Sequence, residues 1–259
     1  MVEKNLYDEK FYESTFDHVY SASKILKILF KYHMPESMID IGCGSGSWLK
    51  AASNLGIKNL TGIEGNWLNP DWIISEDIEL ITHDISKSLP TLSRYDLAIT
   101  LEVAEHLDES RARRFVKELC NLSDVILFSA AIPFQGGDNH VNEQWQSYWA
   151  MLFKENNFKA LDLIRPLVWD DDKVKSWYKQ NCLVYVNQNF TFNVSPSIKK
   201  QPLDIVHPDI FKNNPGKYPY TINTNFNKMD KNNDKKLIRI LLFIIMLGLA
   251  SFFFNLLFF

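Results

Sequence analysis

Three sets of residues in this chain have the types and spacing to do chemistry. The first is the run Asp40-Ile-Gly-Cys-Gly-Ser-Gly46. Its Gly42, Gly44 and Gly46 allow positive φ and let a ligand approach bare main chain, where a Cβ would collide. The second is Glu64, 22 residues after Gly42, an acid at the end of an apolar run and placed to bind two ribose hydroxyls. The third is Glu102, Glu105 and His106 together with the distant His140. Histidine is the natural proton acceptor near neutral pH, so His140 and His106 are the candidate catalytic bases, with Glu143 beside His140 as its support. A plainer alternative stays open for this set, in which Glu102 lines a cofactor and Glu105 with His106 merely starts a helix.

The first two sets discriminate between nucleotides. A dinucleotide fingerprint requires G-x-G-x-x-G, but Gly46 comes one residue early and Ser47 holds the expected place. Asp40 suits an ammonium better than a pyrophosphate. An amine, a carboxylate, a ribose diol and no phosphate describe a sulfonium nucleotide, so S-adenosylmethionine (SAM) fits these residues better than NAD. In such a site Asp84 bonds the adenine amino group and Ile85 flanks the ring, the alternative for Asp84 being a turn or N-cap residue. Trp67 and Trp72 are placed either to cover the nucleoside or to pack. Cys43 reads as a small side chain in the turn rather than a reactive thiol.

These residues need an α/β frame to hold them. Met38, Ile39 and Ile41 make a buried strand, and Trp48, Leu49 and Ala52 share one face of the helix after the glycines, whose N-terminus points into the turn. Further strands are expected over 59–63, 78–81, 95–101, 125–129, 161–164 and 183–186. Helices are expected over 109–121, 143–156 and near 173–179. The near-continuous apolar run at 95–101 belongs in the centre of a parallel sheet, and the loops that follow it and 125–129 should border one crevice. Residues 1–35 read as two helical pieces that cover the sheet edge, the alternative being a lid on the cofactor site; the first bunches Tyr7, Phe11, Tyr12 and Phe16, and Pro35 closes the second. Asp170, Asp171 and Asp172 read as an acidic helix start rather than a metal site. The expected division is a cover over 1–35, a catalytic domain over 36–189, an irregular segment and Asn/Lys-rich tether over 190–236, and a membrane helix over 237–259. Val206 and Phe211 are the apolar residues of the third part able to dock on the domain.

A hydrophobic content of 46% supports a core, and a net charge of −3 argues against a dedicated grip on nucleic acid. Three cysteines make no disulfide framework and fit a reducing compartment, and the first residues lack an apolar run of signal-peptide length. From Ile240 to Phe259 the chain is apolar except for Ser251 and Asn255. Twenty helical residues span about 30 Å, the thickness of bilayer hydrocarbon. Lys228, Lys231, Lys235, Lys236 and Arg239 precede this stretch and no charge follows it, which implies a single-pass anchor with the large domain on the cytoplasmic side. Those lysines are also placed to hold anionic headgroups. A core or dimer helix is the alternative, but it would show a polar face.

The ordered motifs Asp40-Ile-Gly-Cys-Gly-Ser-Gly46, Glu64, Asp84-Ile85 and Leu101-Glu-Val-Ala-Glu-His-Leu107 resemble those of the class I SAM-dependent methyltransferases. Phe128-Ser-Ala-Ala-Ile-Pro133, Gln135-Gly-Gly137, His140-Val-Asn-Glu-Gln-Trp145 and Trp177-Tyr-Lys-Gln-Asn181 look like a bacterial and viral subgroup, the resemblance covering roughly residues 5–210. The resemblance implies a Rossmann-like, doubly wound sheet of seven strands with the last antiparallel. It implies cofactor contacts from Asp40, Gly42, Cys43, Gly44, Gly46, Glu64, Asp84, Ile85, Leu101 and Glu102. Glu102, Glu105, His106 and His140 also resemble the divalent-metal set of some quinone-ring O-methyltransferases and small-RNA 2′-O-methyltransferases, in which an ion such as Mg²⁺ holds the acceptor oxygen. The RNA enzymes carry a denser histidine pattern than the single His140 found here. The implied activity is methyl transfer to a small hydroxylated or membrane-associated acceptor, such as a quinone, lipid or glycan precursor. RNA methylation is the runner-up, and a non-catalytic SAM-binding membrane adaptor is the competitor from another class.

Overall fold

Strand β1 (Ser37–Ile41) lies at the centre because Met38, Ile39 and Ile41 are buried, as only a strand covered on both faces can be. It pairs in parallel with β2 (Asn59–Glu64) on one side and with β4 (Leu97–Leu101) on the other, Asp40 standing beside Gly62 and Ile99. Strands β3 (Glu79–Thr82), β5 (Val125–Ser129), β6 (Phe158–Leu161) and β7 (Leu183–Asn187) complete the order β3-β2-β1-β4-β5-β7-β6. Strand β7 alone runs against the direction of the other six. The order reverses between β1 and β4, so their carboxyl ends part and open a crevice. The computed structural model describes residues 18–192 and 202–213, which belong to one compact unit.

Helices cover both faces. Helix α1 (His18–Leu29) lays Ala22, Ile25, Leu26 and Leu29 on the core shared with Trp48, Leu49 and Ala52 of α2 (Ser47–Asn54). On the other face, Phe115 and Leu119 of α3 (Glu109–Leu122) meet Trp149 and Phe153 of α4 (Gln146–Glu155). The aromatics Tyr7, Phe11, Tyr12 and Phe16 lie outside the described residues, as does the apolar stretch 240–259. Among the described residues no helix is long and apolar enough to cross a membrane.

Several boundaries differ from expectation for local reasons. The strand expected at 161–164 is displaced to Phe158–Leu161, because Asn157 turns with φ 65 directly after α4 and sets the register Phe158↔Asn187. Beyond Leu161, Asp162 leaves the sheet to pair with Arg165, and Pro166 helps start the short helix α5 (Arg165–Val168). The helix expected near 173–179 is α6 (Ser176–Asn181), and α4 starts at Gln146 because the residues before it belong to a loop over the crevice. Strand β4 begins at Leu97, since Asp96 instead accepts hydrogen bonds from the Glu36 and Ser37 amides.

Part of the segment expected to be irregular docks firmly. Arg165, 1% exposed, makes two hydrogen bonds to Asp162 and donates to the carbonyls of Pro202 (3.0 Å) and Leu203 (2.7 Å). His207 and Ile210, the latter on α7 (Pro208–Asn213), are buried, whereas Val206 and Phe211 are half-buried. Removing one partner of a buried, hydrogen-bonded pair leaves the other charge stranded. Arg165→Leu is therefore expected to destabilise the chain by about 3–5 kcal/mol, and Asp162→Leu combined with it to recover much of that loss. Urea unfolding measures both, and an unchanged midpoint in the single variant would contradict the clamp.

Candidate active site

The crevice is built first by the glycine turn. Gly42, Gly44 and Gly46 all have positive φ (77°, 55° and 82°), and a Cβ at Gly42 would lie 2.6 Å from Val103 Cγ2. The turn is tied to β2 by the Gly42 amide donating to Ile63 O (2.8 Å), and α2 springs from its end. Glu64 locks it from the other side. One carboxylate oxygen accepts from the Gly44 amide and the other from the Gly65 amide, each at 2.8 Å, and the Trp67 side chain donates to the same group. Trp67 lies so close over Gly65 that a Cβ there would sit 2.1 Å from its ring, so Trp67 packs on the acid it bonds.

Burial raises the Glu64 pKa, and these three donors oppose the shift. Asp40, 3% exposed, is pushed well above the usual carboxylate range, by burial first and then by the charge of Glu64. Two acids thus share a pocket that favours an incoming cation. Cys43 is buried and its thiol pushed up, which suits the small-side-chain reading. Asp84 makes the contacts of a turn residue. Its Oδ1 accepts from the Ser86 amide and hydroxyl and its Oδ2 pairs with Lys87, which together hold it below the usual range, Ser86 foremost. Ile85 beside it is 9% exposed.

The second wall comes from the ends of β4 and β5. After Leu101 the chain turns at Glu102, whose φ of 56 is uncommon for a side chain of this size. Its half-buried carboxylate accepts from Gln135 Nε2 (2.9 Å) and Asn181 Nδ2 (3.1 Å), and Gln180 Nε2 in turn donates to Gln135 Oε1 (3.0 Å). Burial raises the Glu102 pKa despite these bonds. Sequence reasoning did not find this amide cluster. Its members stood in motifs noted for other reasons, and an isolated Gln or Asn carries no signal that it faces an acid.

Glu105 is fully buried, and neither of its carboxylate oxygens has a hydrogen-bond partner of normal geometry. Burial, then the charge of Glu102, push it well above the usual range. His106 meets His140 edge to face, ring centroids 4.9 Å apart, and burial together with His140 lowers its pKa to about 4. His140 Nδ1 lies 3.0 Å from Glu143 Oε1. A carboxylate only accepts, so Nδ1 carries the hydrogen, and in the neutral imidazole Nε2 then keeps the lone pair. Gly137 makes room for that ring, since a Cβ there would lie 2.2 Å from Nε2. Glu143 also accepts from the Phe134 and Gly136 amides, so one acid shapes the loop and orients the histidine, as expected.

The ligand atoms of Glu105, His106 and His140 lie within 4.8 Å of one another. Glu102, expected in that group, stands outside it because the Gln135 and Asn181 amides hold its carboxylate. Asp171 is taken by Lys24, Tyr20 and the Lys173 amide, and among the described residues Asp170 to Asp172 form no metal-ligand group.

No protein-family profile matches the chain. It is similar to the sphingolipid C9-methyltransferase of Candida albicans, 28% identical over 145 residues. That match takes in 51% of this chain but only 28% of the relative, less than a third of its length. Among solved structures, a chain of the complex between the Trm112 methyltransferase activator and a methyltransferase of Haloferax volcanii superposes with a TM-score of 0.53 at 12% identity, covering 71% of this chain and 96% of that one. The plantazolicin methyltransferase BpumL in complex with SAH gives 0.50 at 15% identity, covering 69% and 88%. The seven-stranded sheet is that of the class I methyltransferase fold.

A buried acid with a raised pKa binds its proton more tightly in the folded than in the unfolded chain. Its contribution is full below the ordinary carboxylate range and is lost as pH rises through that range towards the raised value. Asp40→Asn is therefore expected to raise Tm at pH 7.5, by roughly 2–4 °C for each kcal/mol relieved, and to leave Tm unchanged at pH 3. A lower Tm at pH 7.5 in this variant would contradict an unpaired buried charge.

Proposed function

We propose that the chain is a SAM-dependent methyltransferase, held at a membrane by residues 240–259, that modifies a small hydroxylated or membrane-associated acceptor. The observation that carries this reading is the pairing of the Gly42–Gly44–Gly46 turn with Glu64 at the carboxyl ends of β1 and β2, beside the point where the strand order reverses. When bound, SAM supplies a methyl group on a positively charged sulfur, open to in-line displacement. In this chain the turn leaves bare main chain for the ligand, Asp40 would receive its ammonium and Glu64 its ribose diol. Ile85, Leu101 and Glu102 would line the remainder, with Asp84 at the adenine. His140, with Glu143 fixing its Nδ1 hydrogen, would take the proton of the acceptor hydroxyl at Nε2. The likeness to an enzyme named for a sphingolipid agrees with a lipid acceptor, and the basic residues before 240 with a catalytic domain over 36–189 on the cytoplasmic side.

A second reading of the same wall is favoured by Glu105. A fully buried carboxylate without a hydrogen-bond partner of normal geometry, beside an unpartnered His106 Nδ1 and within 4.8 Å of His140, fits a divalent cation, two imidazoles favouring a transition metal over the Mg²⁺ that the resemblance implies. Glu105, His106 and His140 would hold it, and it would supply a Lewis acid for the acceptor oxygen. His140 Nε2 cannot serve as both base and ligand. The test is transfer of labelled methyl from SAM into a mixture of membrane lipids and quinones by the full chain. If His140 is the base, His140→Ala lowers turnover by about 10²–10⁴-fold without weakening SAM binding, and a chelator has no effect. Loss of turnover on chelation selects the metal reading. SAM binding with no transfer to any acceptor would contradict both and favour a SAM-binding adaptor.

A further inference from the structure

Four amide side chains link the docked segment 202–213 to the wall of the crevice. All are buried: Gln180 is fully covered, Gln146 and Asn181 are 2% exposed and Gln135 9%. Gln180 and Asn181 end α6 just before β7, and the register Phe128↔Leu183 sets them beside the end of β5, where the loop bearing Gln135 begins. The two ends of an amide are alike in shape and opposite in polarity, so its partners decide which way it faces. Main-chain groups decide it here. The His207 amide can only donate, and its bond to Gln180 Oε1 (2.8 Å) turns Gln180 Nε2 inward. That nitrogen places its two hydrogens on Gln135 Oε1 and Asn181 Oδ1, at 3.0 Å each. The Ile132 amide donates to the same Gln135 oxygen (3.3 Å). Gln146 Nε2, held by the Ile205 carbonyl at 3.1 Å, reaches the same Asn181 oxygen. Asn181 Nδ2 divides its own hydrogens between Gln135 Oε1 (2.9 Å) and Glu102 (3.1 Å). With their oxygens so occupied, Gln135 and Asn181 turn only N–H groups towards Glu102. Reversing one amide would set oxygen against oxygen in a buried place, which is costly.

We propose that Gln180 is a positioning residue for the cofactor, joining the docking of residues 202–213 and the presentation of Glu102 to the ligand into one linked event. The inference rests on SAM binding in this crevice with Glu102 in its wall. Gln180 acts through Gln135 and Asn181, because its side-chain amide is engaged with them and with His207. Glu102 needs such support, since its φ of 56 belongs to a conformation that a side chain of this size seldom adopts. Linkage is reciprocal. If the docked segment favours the arrangement that receives the ligand, the ligand favours the docked segment by the same factor.

The test follows amide hydrogen exchange by mass spectrometry on the full chain, with and without saturating SAM. In the native chain SAM is expected to slow exchange over 202–213 by about tenfold. Gln180→Met keeps the length of the side chain and removes its polarity. It should weaken SAM binding about tenfold in calorimetry and abolish the slowing even when SAM is raised to saturation. Leu119→Ala, a truncation of the buried α3 core, controls for lost stability and should leave both responses intact. A native chain that binds SAM with unchanged exchange over 202–213 overturns the role of Gln180 and leaves the cofactor reading standing, whether or not Gln180→Met folds. A native response in Gln180→Met overturns that role equally, as does a loss of affinity in Leu119→Ala as large as in Gln180→Met. A folded native chain that takes up no SAM overturns the cofactor reading and this inference together.

Discussion

The structure depends on four acids gathered without a cationic partner, among the described residues, at the carboxyl ends of β1, β2 and β4. Asp40, Glu64, Glu102 and Glu105 all have raised pKa values, and burial is the first cause in each. Among the described residues no lysine or arginine pairs with any of the four. Neutral donors carry the compensation instead, namely the Gly44 and Gly65 amides, Trp67, Gln135 and Asn181. Such an arrangement spends stability to keep acids unpaired, a cost that functional sites bear and structural ion pairs do not. In the proposed reading it would also favour the ligand: a sulfonium with an ammonium brings positive charge into the crevice, whereas a pyrophosphate would add to the repulsion.

The frame transmits order to that crevice over a long path. Arg165 and Asp162 pin residues 202 and 203, and the His207 amide then donates to Gln180 Oε1. Gln180 bonds Gln135, and Gln135 bonds Glu102. A segment remote in sequence thereby steadies the acid at the end of β4. The second loop works on the same principle at shorter range, since Glu143 gathers two amides and one imidazole.

Much of this was legible in the sequence because its signals are local. Three glycines after a buried strand and an acid at the next strand's end fix the turn whatever surrounds them. The buried run at 97–101 likewise placed β4 in the centre. The boundary of β6 was not legible, because the apolar run Leu161 to Ile164 reads as a strand while the actual start depends on Asn157 turning with positive φ and on the register with β7. The amide cluster on Glu102 was hidden for a related reason: Gln135, Gln180 and Asn181 meet only after β7 folds back between β5 and β6. The same cluster holds Glu102 apart from Glu105, His106 and His140, whose ligand atoms gather within 4.8 Å.

The most direct measurement of the central claim is calorimetric titration of SAM into the full chain and into Glu64→Ala. The account predicts saturable one-to-one binding to the native chain and its loss in the variant, since without the carboxylate the ribose diol has no acceptor and the Gly44 amide no anchor. A folded native chain that takes up no SAM, or a Glu64→Ala chain that binds it equally well, would contradict the assignment of this crevice.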